Sequence, residues 1–319
     1  MFRVCVTQVL EAGAWEQFKA TGWELQILVQ PSPTELKRAL AQSDALVSML
    51  TDRLSAEVLA SAQGGPLKII ANHAVGYDNI DLKAAMQQGL VVSNTPGVLT
   101  QATAEFALTL ILNLLRRVSE GEALLRSGLW QGWEPTQLLG SSLAGKKVGI
   151  LGAGRIGQAL GQLVYLLGAE VAYCSRSPKP AFESQTQAQE MDFESLLSWS
   201  EVLSLHLPGG TDTFHRINAE TLAMLPKGAI LINTGRGTSI DEVALAAALQ
   251  SGHLGGAALD VYEKEPVVHP ALLTSPNTLL LPHLGSATVA TRRAMALTCL
   301  QNIQAVLAGQ PAPNQIPLA

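Results

Sequence analysis

The chain has 319 residues, 47% hydrophobic and 15% charged, with a formal net charge of −5. That length and composition give two domains with a large buried core and exclude a disordered chain. The acidic balance and the lack of a dense basic run argue against nucleic acid as a partner, and no apolar run is long enough to cross a bilayer.

The chain opens directly as a strand over residues 3–6, with no secretory signal pattern. Through residue 92, short apolar runs alternate with helical patterns. The candidate strands are 3–6, 24–29, 45–49, 67–71 and 90–92, and the candidate helices are 14–20, 34–41, 56–60 and 82–87. Asp81 is the expected N-cap of the last helix and Gly89 its stop. Such alternation implies a parallel sheet covered on both faces. After the fourth strand, the amides of Val75 and Gly76 are candidates to bind an anion, though Gly76 also suits a plain turn. Residues 100–117 read as one long, nearly all-apolar helix, followed by a shorter one to about Arg126. An aromatic patch follows, with Trp130 and Trp133. Two tryptophans so close read first as core or interface packing, because each hides a large apolar area.

A second strand–helix series begins with Gly152-Ala153-Gly154-Arg155-Ile156-Gly157. It lies between an apolar strand at 148–151 and a helical face of Ile156, Leu160, Leu163 and Val164. This is the context in which a G-x-G-x-x-G loop binds a dinucleotide. Gly152 permits the tight turn, Gly154 lets a pyrophosphate approach, and Gly157 brings helix and strand together. The amides at Arg155 and Ile156 would hold the phosphates. Further strands are expected at 170–174, 201–205, 229–233, 256–259 and 279–281, six in all, and a long helix at 287–307. The second strand ends at Cys174-Ser175-Arg176, where an NAD site would carry an acid. A hydroxyl and an arginine suit a 2′-phosphate instead, so NADP(H) is the expected cofactor, with NAD(H) as the alternative. Arg176 as a solvated turn residue is the plainer reading. Cys5, Cys174 and Cys299 lie far apart without metal-ligand spacing and read as reduced thiols of a cytoplasmic protein; no metal is expected.

Three loops at later strand ends carry Arg236, Glu265 and His283. In parallel α/β sheets the ligand lies beyond the carboxyl ends of the strands. Each residue alone suits a surface loop. Together they supply what reduction of a 2-oxo acid requires. Arg236 has the planar fork for a carboxylate, and His283 can give a proton near neutral pH. Glu265 would orient that imidazole and favour its charged form.

The chain resembles the D-isomer-specific 2-hydroxyacid dehydrogenase family, most closely its glyoxylate/hydroxypyruvate reductase branch. The matching stretches are residues 74–81, 94–100, 103–105, the glycine loop, 233–237, 259–261 through 265–266, and 282–288. The resemblance implies two doubly wound α/β domains, a Rossmann domain inserted in a flavodoxin-like substrate domain. The expected boundaries are 1–97 for the first part of the substrate domain, 98–286 for the nucleotide domain and 287–319 for the returning helix. The substrate would lie in a cleft between them. The resemblance also makes Arg236 and Glu265 active-site residues and His283 the proton donor. It places Thr234, Gly235, Asp260, Thr103 and Gly285 with the cofactor, and Val75, Gly76 and Leu99 with the substrate. A small 2-oxo acid, glyoxylate or hydroxypyruvate, is the expected substrate. A sugar-derived 2-keto acid or phosphite is the alternative, as is a nucleotide-sensing, partner-binding role. A homodimer joined through the long apolar helix is implied, with Trp133 reaching the partner's pocket. Gly235 stands where the family usually has alanine, which leaves the rigidity before Arg236 open.

Overall fold

Val4, Cys5 and Val6 of the first strand are completely buried, as happens only in a strand covered on both faces. In this computed structural model, which describes residues 1–317, the chain forms two units. One is Met1–Leu99 with the segment that begins at Ser286; the other is Thr100–Gly285.

The first unit has strands β1 (Arg3–Val6), β2 (Glu24–Ile27), β3 (Ala45–Ser48), β4 (Ile69–Asn72) and β5 (Val91–Ser93), all parallel, in the order β2-β1-β3-β4-β5. This is the flavodoxin-like order. The C-terminal helix Val289–Leu307 packs Ala296, Cys299, Leu300 and Ile303 with Val4, Val6 and Ala71 on one face. Leu36, Leu40, Val58, Leu59, Ala84 and Ala85 cover the other. Caps mark the helix starts: Ser32 and Glu35 form a reciprocal capping box, and the Asp81 carboxylate accepts from the Ala84 amide. The second strand stops at Ile27, short of the expected residue 29. It pairs on one side only, and Val29 is exposed.

The second unit has seven parallel strands: β6 (Lys147–Leu151), β7 (Glu170–Cys174), β8 (Gln189–Glu190), β9 (Val202–Leu205), β10 (Ile230–Asn233), β11 (Gly256–Leu259) and β12 (Thr278–Leu280). Their order, β12-β11-β10-β9-β6-β7-β8, is that of a dinucleotide-binding sheet with one strand added beyond β11. The sequence reading expects six strands. The seventh, β8, is two exposed polar residues and has no hydrophobic period to reveal it. The last residues of six strands stand in register across the sheet: Cys174, Leu151, Leu205, Asn233, Leu259 and Leu280. Every candidate loop of this unit therefore leaves from one edge.

The helix Thr100–Arg116 buries Ala104, Ala107, Leu110 and Ile111 in the same cluster as Val148, Ile150, Leu160 and Val164. It ends one residue before the expected Arg117, which is left-handed at φ 52° and opens the helix Val118–Arg126. Trp130 and Trp133 are not core residues of the unit; they are 47% and 81% exposed, and Trp130 Nε1 donates to Gln137 Oε1. No helix of the described residues is long and apolar enough to cross a membrane.

Candidate active site

The three glycines of the loop after β6 are kept for different reasons. Gly152 is at φ 100°, and a Cβ there would lie 2.7 Å from the His206 carbonyl oxygen. A Cβ at Gly157 would lie 2.4 Å from the Gly152 oxygen and 2.9 Å from Ile150 Cγ2, so the helix Arg155–Leu166 sits directly on β6. Gly154 differs: a Cβ there would meet nothing within 4 Å. No packing inside the protein requires that glycine. It is the N-cap of a twelve-residue helix and offers no side-chain cap, so the first-turn amides at Arg155 and Ile156 have no side-chain partner there. A cradle that a Cβ would fill, at an uncapped helix start, fits a pyrophosphate.

One strand away, β7 ends at half-buried Cys174 and Ser175 and exposed Arg176. The turn is closed by the Lys179 amide donating to the Tyr173 hydroxyl at 2.8 Å. The Lys179 ammonium is 2.7 Å from Ser177 Oγ. No carboxylate stands on this turn between residues 174 and 179.

On the other side of β6, the loop after β10 is built around a fully buried asparagine. Asn233 Nδ2 donates to the Arg236 carbonyl at 2.9 Å, and its Oδ1 accepts from the Gly235 amide at 3.0 Å. Ser239 Oγ also donates to the Arg236 carbonyl, at 2.7 Å. Gly235 is not left-handed, and a Cβ there would meet the Leu207 oxygen at 3.1 Å. Missing the methyl therefore does not loosen the loop; Asn233 holds it from both sides. Thr234 Oγ1 is buried without a hydrogen-bond partner in the described residues, a polar atom that suits a polar ligand.

The acid loop follows β11. The Tyr262 hydroxyl donates to the carbonyls of Leu259 and Leu281, tying the loop to the sheet. The Tyr262 amide donates to Glu265 Oε1 at 3.0 Å, and Glu265 Oε2 lies 3.0 Å from His283 Nδ1. The carboxylate can only accept from a charged or Nδ1-protonated ring, so it sets the imidazole with Nε2 turned away from it. Burial alone would raise the Glu265 carboxyl. The hydrogen bond and charge of His283, the Tyr262 amide and the charge of Arg236 outweigh it and hold the group below its ordinary value.

His283 is left-handed at φ 57°, a conformation that costs a non-glycine residue about 1–3 kcal/mol. Asp260 restrains it. The Asp260 carbonyl accepts from the His283 amide at 3.0 Å, while its carboxylate takes the Leu284 and Gly285 amides at 2.6 and 2.7 Å. Burial raises the Asp260 carboxyl despite those two donors. A Cβ at Gly285 would lie 3.2 Å from Asp260 Oδ2 and 3.3 Å from Thr103 Cγ2. Thr103, Asp260 and Gly285 therefore meet in one place, and Asp260 acts there as a clamp on the histidine loop.

In the first unit, the loop after β4 presents backbone. The carbonyls of Ala74, Val75 and Gly76 accept, in turn, from the Thr95 amide (2.8 Å), Asn94 Nδ2 (2.7 Å) and Asn72 Nδ2 (2.9 Å). Ser48 donates to Asn72 Oδ1, and Asn79 Nδ2 donates to the carbonyls of Met49 and Asp52. With the carbonyls tied back, the amides of Val75 and Gly76 have no hydrogen-bond partner among the described residues. Leu99 is buried in the same unit. Asn72, Asn94, Asn233 and Tyr262 are given no role by the sequence reading. Asparagine just after an apolar strand is the signal they offered, since its side chain bonds nearby backbone.

Residues 108–285 match the model of the D-isomer specific 2-hydroxyacid dehydrogenase NAD binding domain. The chain is 44% identical over 285 residues to a glyoxylate reductase of Thermococcus litoralis, covering 88% of this chain and 86% of that one. The chain belongs to the D-isomer specific 2-hydroxyacid dehydrogenase family. Among solved structures, the TT0316 protein of Thermus thermophilus is similar at TM-score 0.92 and 40% identity, over 99% of this chain and 100% of that one. An NADPH-dependent glyoxylate/hydroxypyruvate reductase of Sinorhizobium meliloti, in complex with NADP and malonate, is similar at TM-score 0.88 and 33% identity, over 99% and 97%. As a dehydrogenase of this family, the protein takes a nicotinamide dinucleotide. The open cradle at Gly154 and the orphaned Thr234 hydroxyl fit that group. Among the described residues, no group of three His, Cys, Asp or Glu side chains is placed to hold a metal ion.

Proposed function

We propose that the protein reduces small 2-oxo acids, glyoxylate and hydroxypyruvate first, to 2-hydroxy acids of D configuration where the product is chiral, with NADPH as the preferred reductant. The observation that carries this reading is the contact between Glu265 Oε2 and His283 Nδ1 at 3.0 Å, on the strand edge that also bears Arg236 and the glycine loop. When bound, the dihydronicotinamide supplies the hydride. Arg236 holds the substrate carboxylate, and the Val75 and Gly76 amides are the second anion-binding group. His283 Nε2 gives the proton to the carbonyl oxygen, and Glu265 keeps the ring oriented and favours its charged form. Ser175 and Arg176 take the 2′-phosphate, and Leu99 lines the substrate side.

Each charge-assisted hydrogen bond contributes about 1.5–3 kcal/mol, so one or two predict roughly ten- to several-hundred-fold preference for NADPH. The test is kcat/KM for both cofactors at fixed glyoxylate and salt, in wild type and in the Ser175→Asp/Arg176→Ser variant. The variant should reverse the preference. Equal use of NADH by wild type would remove the NADP assignment, and turnover of phosphite or a sugar-derived acid alone would remove the substrate assignment.

A homodimer is part of the same reading. The helix Val118–Arg126 buries none of its residues, and Val118, Leu125 and Leu129 are 55%, 63% and 71% exposed, a face that suits a second copy. Trp133, exposed beside it, would then reach the partner's pocket. Three free cysteines, two of them buried, support a cytoplasmic home.

A further inference from the structure

The loop that carries Glu265 has a second acid two residues earlier. Glu263 is held at two points: its amide donates to Glu242 Oε1 at 2.8 Å, and its Oε2 lies 3.1 Å from His215 Nε2. Glu242 is only 6% exposed and is the first residue of the helix Glu242–Gln250, a few residues beyond Arg236. His215 comes from a third segment, which is tied to the same arginine loop. The His215 amide donates to the Thr238 carbonyl at 2.9 Å, and Ile217 bridges to Ile240. His215, like His283, is left-handed, at φ 47°. Where the two loops touch there is no slack, since a Cβ at Gly237 would lie 1.9 Å from the Tyr262 carbonyl carbon.

We propose that Glu263 is a positioning residue: held by His215 and Glu242, it sets the loop that bears Glu265 against the loop that bears Arg236. The inference rests on reading Arg236, Glu265 and His283 as the catalytic set. An exposed ion pair contributes little, but the His215 and Glu263 side chains are 30% and 21% exposed and close a ring through a buried carboxylate. Misplacing a reacting group by about 1 Å can slow a reaction by about 10²-fold. Truncating Glu263 leaves every group of the catalytic set chemically intact, so the loss falls on turnover and not on nucleotide binding.

The test uses the full-length enzyme as Glu263→Ala, Glu263→Gln, His215→Ala and the double Glu263→Ala/His215→Ala, with Tm, NADPH affinity, and kcat and KM for glyoxylate. Glu263→Ala should lower kcat about tenfold or more and leave the NADPH Kd within about twofold. Glu263→Gln should recover most of the loss, since its amide oxygen still accepts from the imidazole. The double variant should be no slower than Glu263→Ala alone, as expected of partners in one contact. A folded Glu263→Ala with wild-type kcat, or losses that multiply in the double variant, would overturn the proposal. If Glu263→Ala does not fold, His215→Ala decides: a several-fold lower kcat supports the network and an unchanged kcat refutes it. Glu265→Gln separates the two layers. If it is slow while Glu263→Ala is not, only the positioning role fails; if it is as fast as wild type, the catalytic set and this inference fall together.

Discussion

The loop after β4 in one unit and the loops after β10, β11 and β12 in the other all leave the carboxyl edge of a parallel sheet, yet they are made of different groups. The first presents Val75 and Gly76 amides whose neighbouring carbonyls are tied back by Asn72, Asn94 and Thr95. The others present Arg236, Glu265 and His283 side chains, held by Asn233, Tyr262 and Asp260. Amides hold an anion at any ordinary pH but cannot move a proton, whereas an imidazole on a carboxylate can. A family that must both grip and reduce an acid gains from dividing those tasks between two materials.

If the division is right, the largest loss follows removal of the proton donor. His283→Ala should lower kcat about 10²–10⁴-fold, with NADPH binding nearly unchanged, read by steady-state kinetics and nucleotide titration. Wild-type turnover in that variant would end the contrast, because the charged loops would then carry no proton.

The one titratable side chain at the start of the amide loop sharpens the comparison. His73 is buried, and burial, together with the charge of Arg292, pushes its imidazole down to about 4 from 6.5. Between those values the unfolded chain binds a proton that the fold refuses. Stability is therefore full above about pH 6.5 and falls as pH drops toward about 4, by up to about 3 kcal/mol. In His73→Gln the dependence of the urea midpoint on pH should flatten across that window; an unchanged slope would show that His73 accepts its proton in the fold.

Arg236→Lys should lower kcat/KM for glyoxylate roughly ten- to a hundredfold while sparing cofactor affinity, since lysine keeps the charge and loses the two-pronged fork. Nearly normal kcat/KM would mean that the amide loop holds the carboxylate alone. The smallest effect belongs to that loop's scaffold. Asn94→Ala removes the 2.7 Å bond to the Val75 carbonyl, worth about 1 kcal/mol. KM should rise about fivefold with little change in kcat, and a fall in kcat without a rise in KM would place the loop in the chemistry itself.

How much of this was legible in the sequence depends on what each residue is asked to do. Gly152, Gly154 and Gly157 could be read because each answers a backbone demand, a left-handed turn, an open cradle and a close approach, that no other residue type meets. The strands with continuous apolar runs were legible too. The exposed dipeptide Gln189–Glu190 was not, because pairing with β7 makes it a strand and its side chains do not. The tryptophans misled as core candidates, since aromatic mass carries no information on which surface covers it. The asparagines that hold each loop lay in view at the strand ends, but the carbonyl each one reaches is set by the folded turn. Asp260 shows the same limit: a carboxylate after a strand reads as a cofactor contact until the Leu284 and Gly285 amides are seen on it.

The central claim is that these loops reduce a small 2-oxo acid with hydride from NADPH and a proton from His283. It is tested most directly by following NADPH oxidation with hydroxypyruvate in wild type and His283→Ala, and by determining the configuration of the glycerate formed. The account predicts stoichiometric NADPH loss, D-glycerate as product, and a variant that binds NADPH but turns over at least about a hundredfold more slowly. L-glycerate, or a His283→Ala enzyme as fast as wild type, would contradict it.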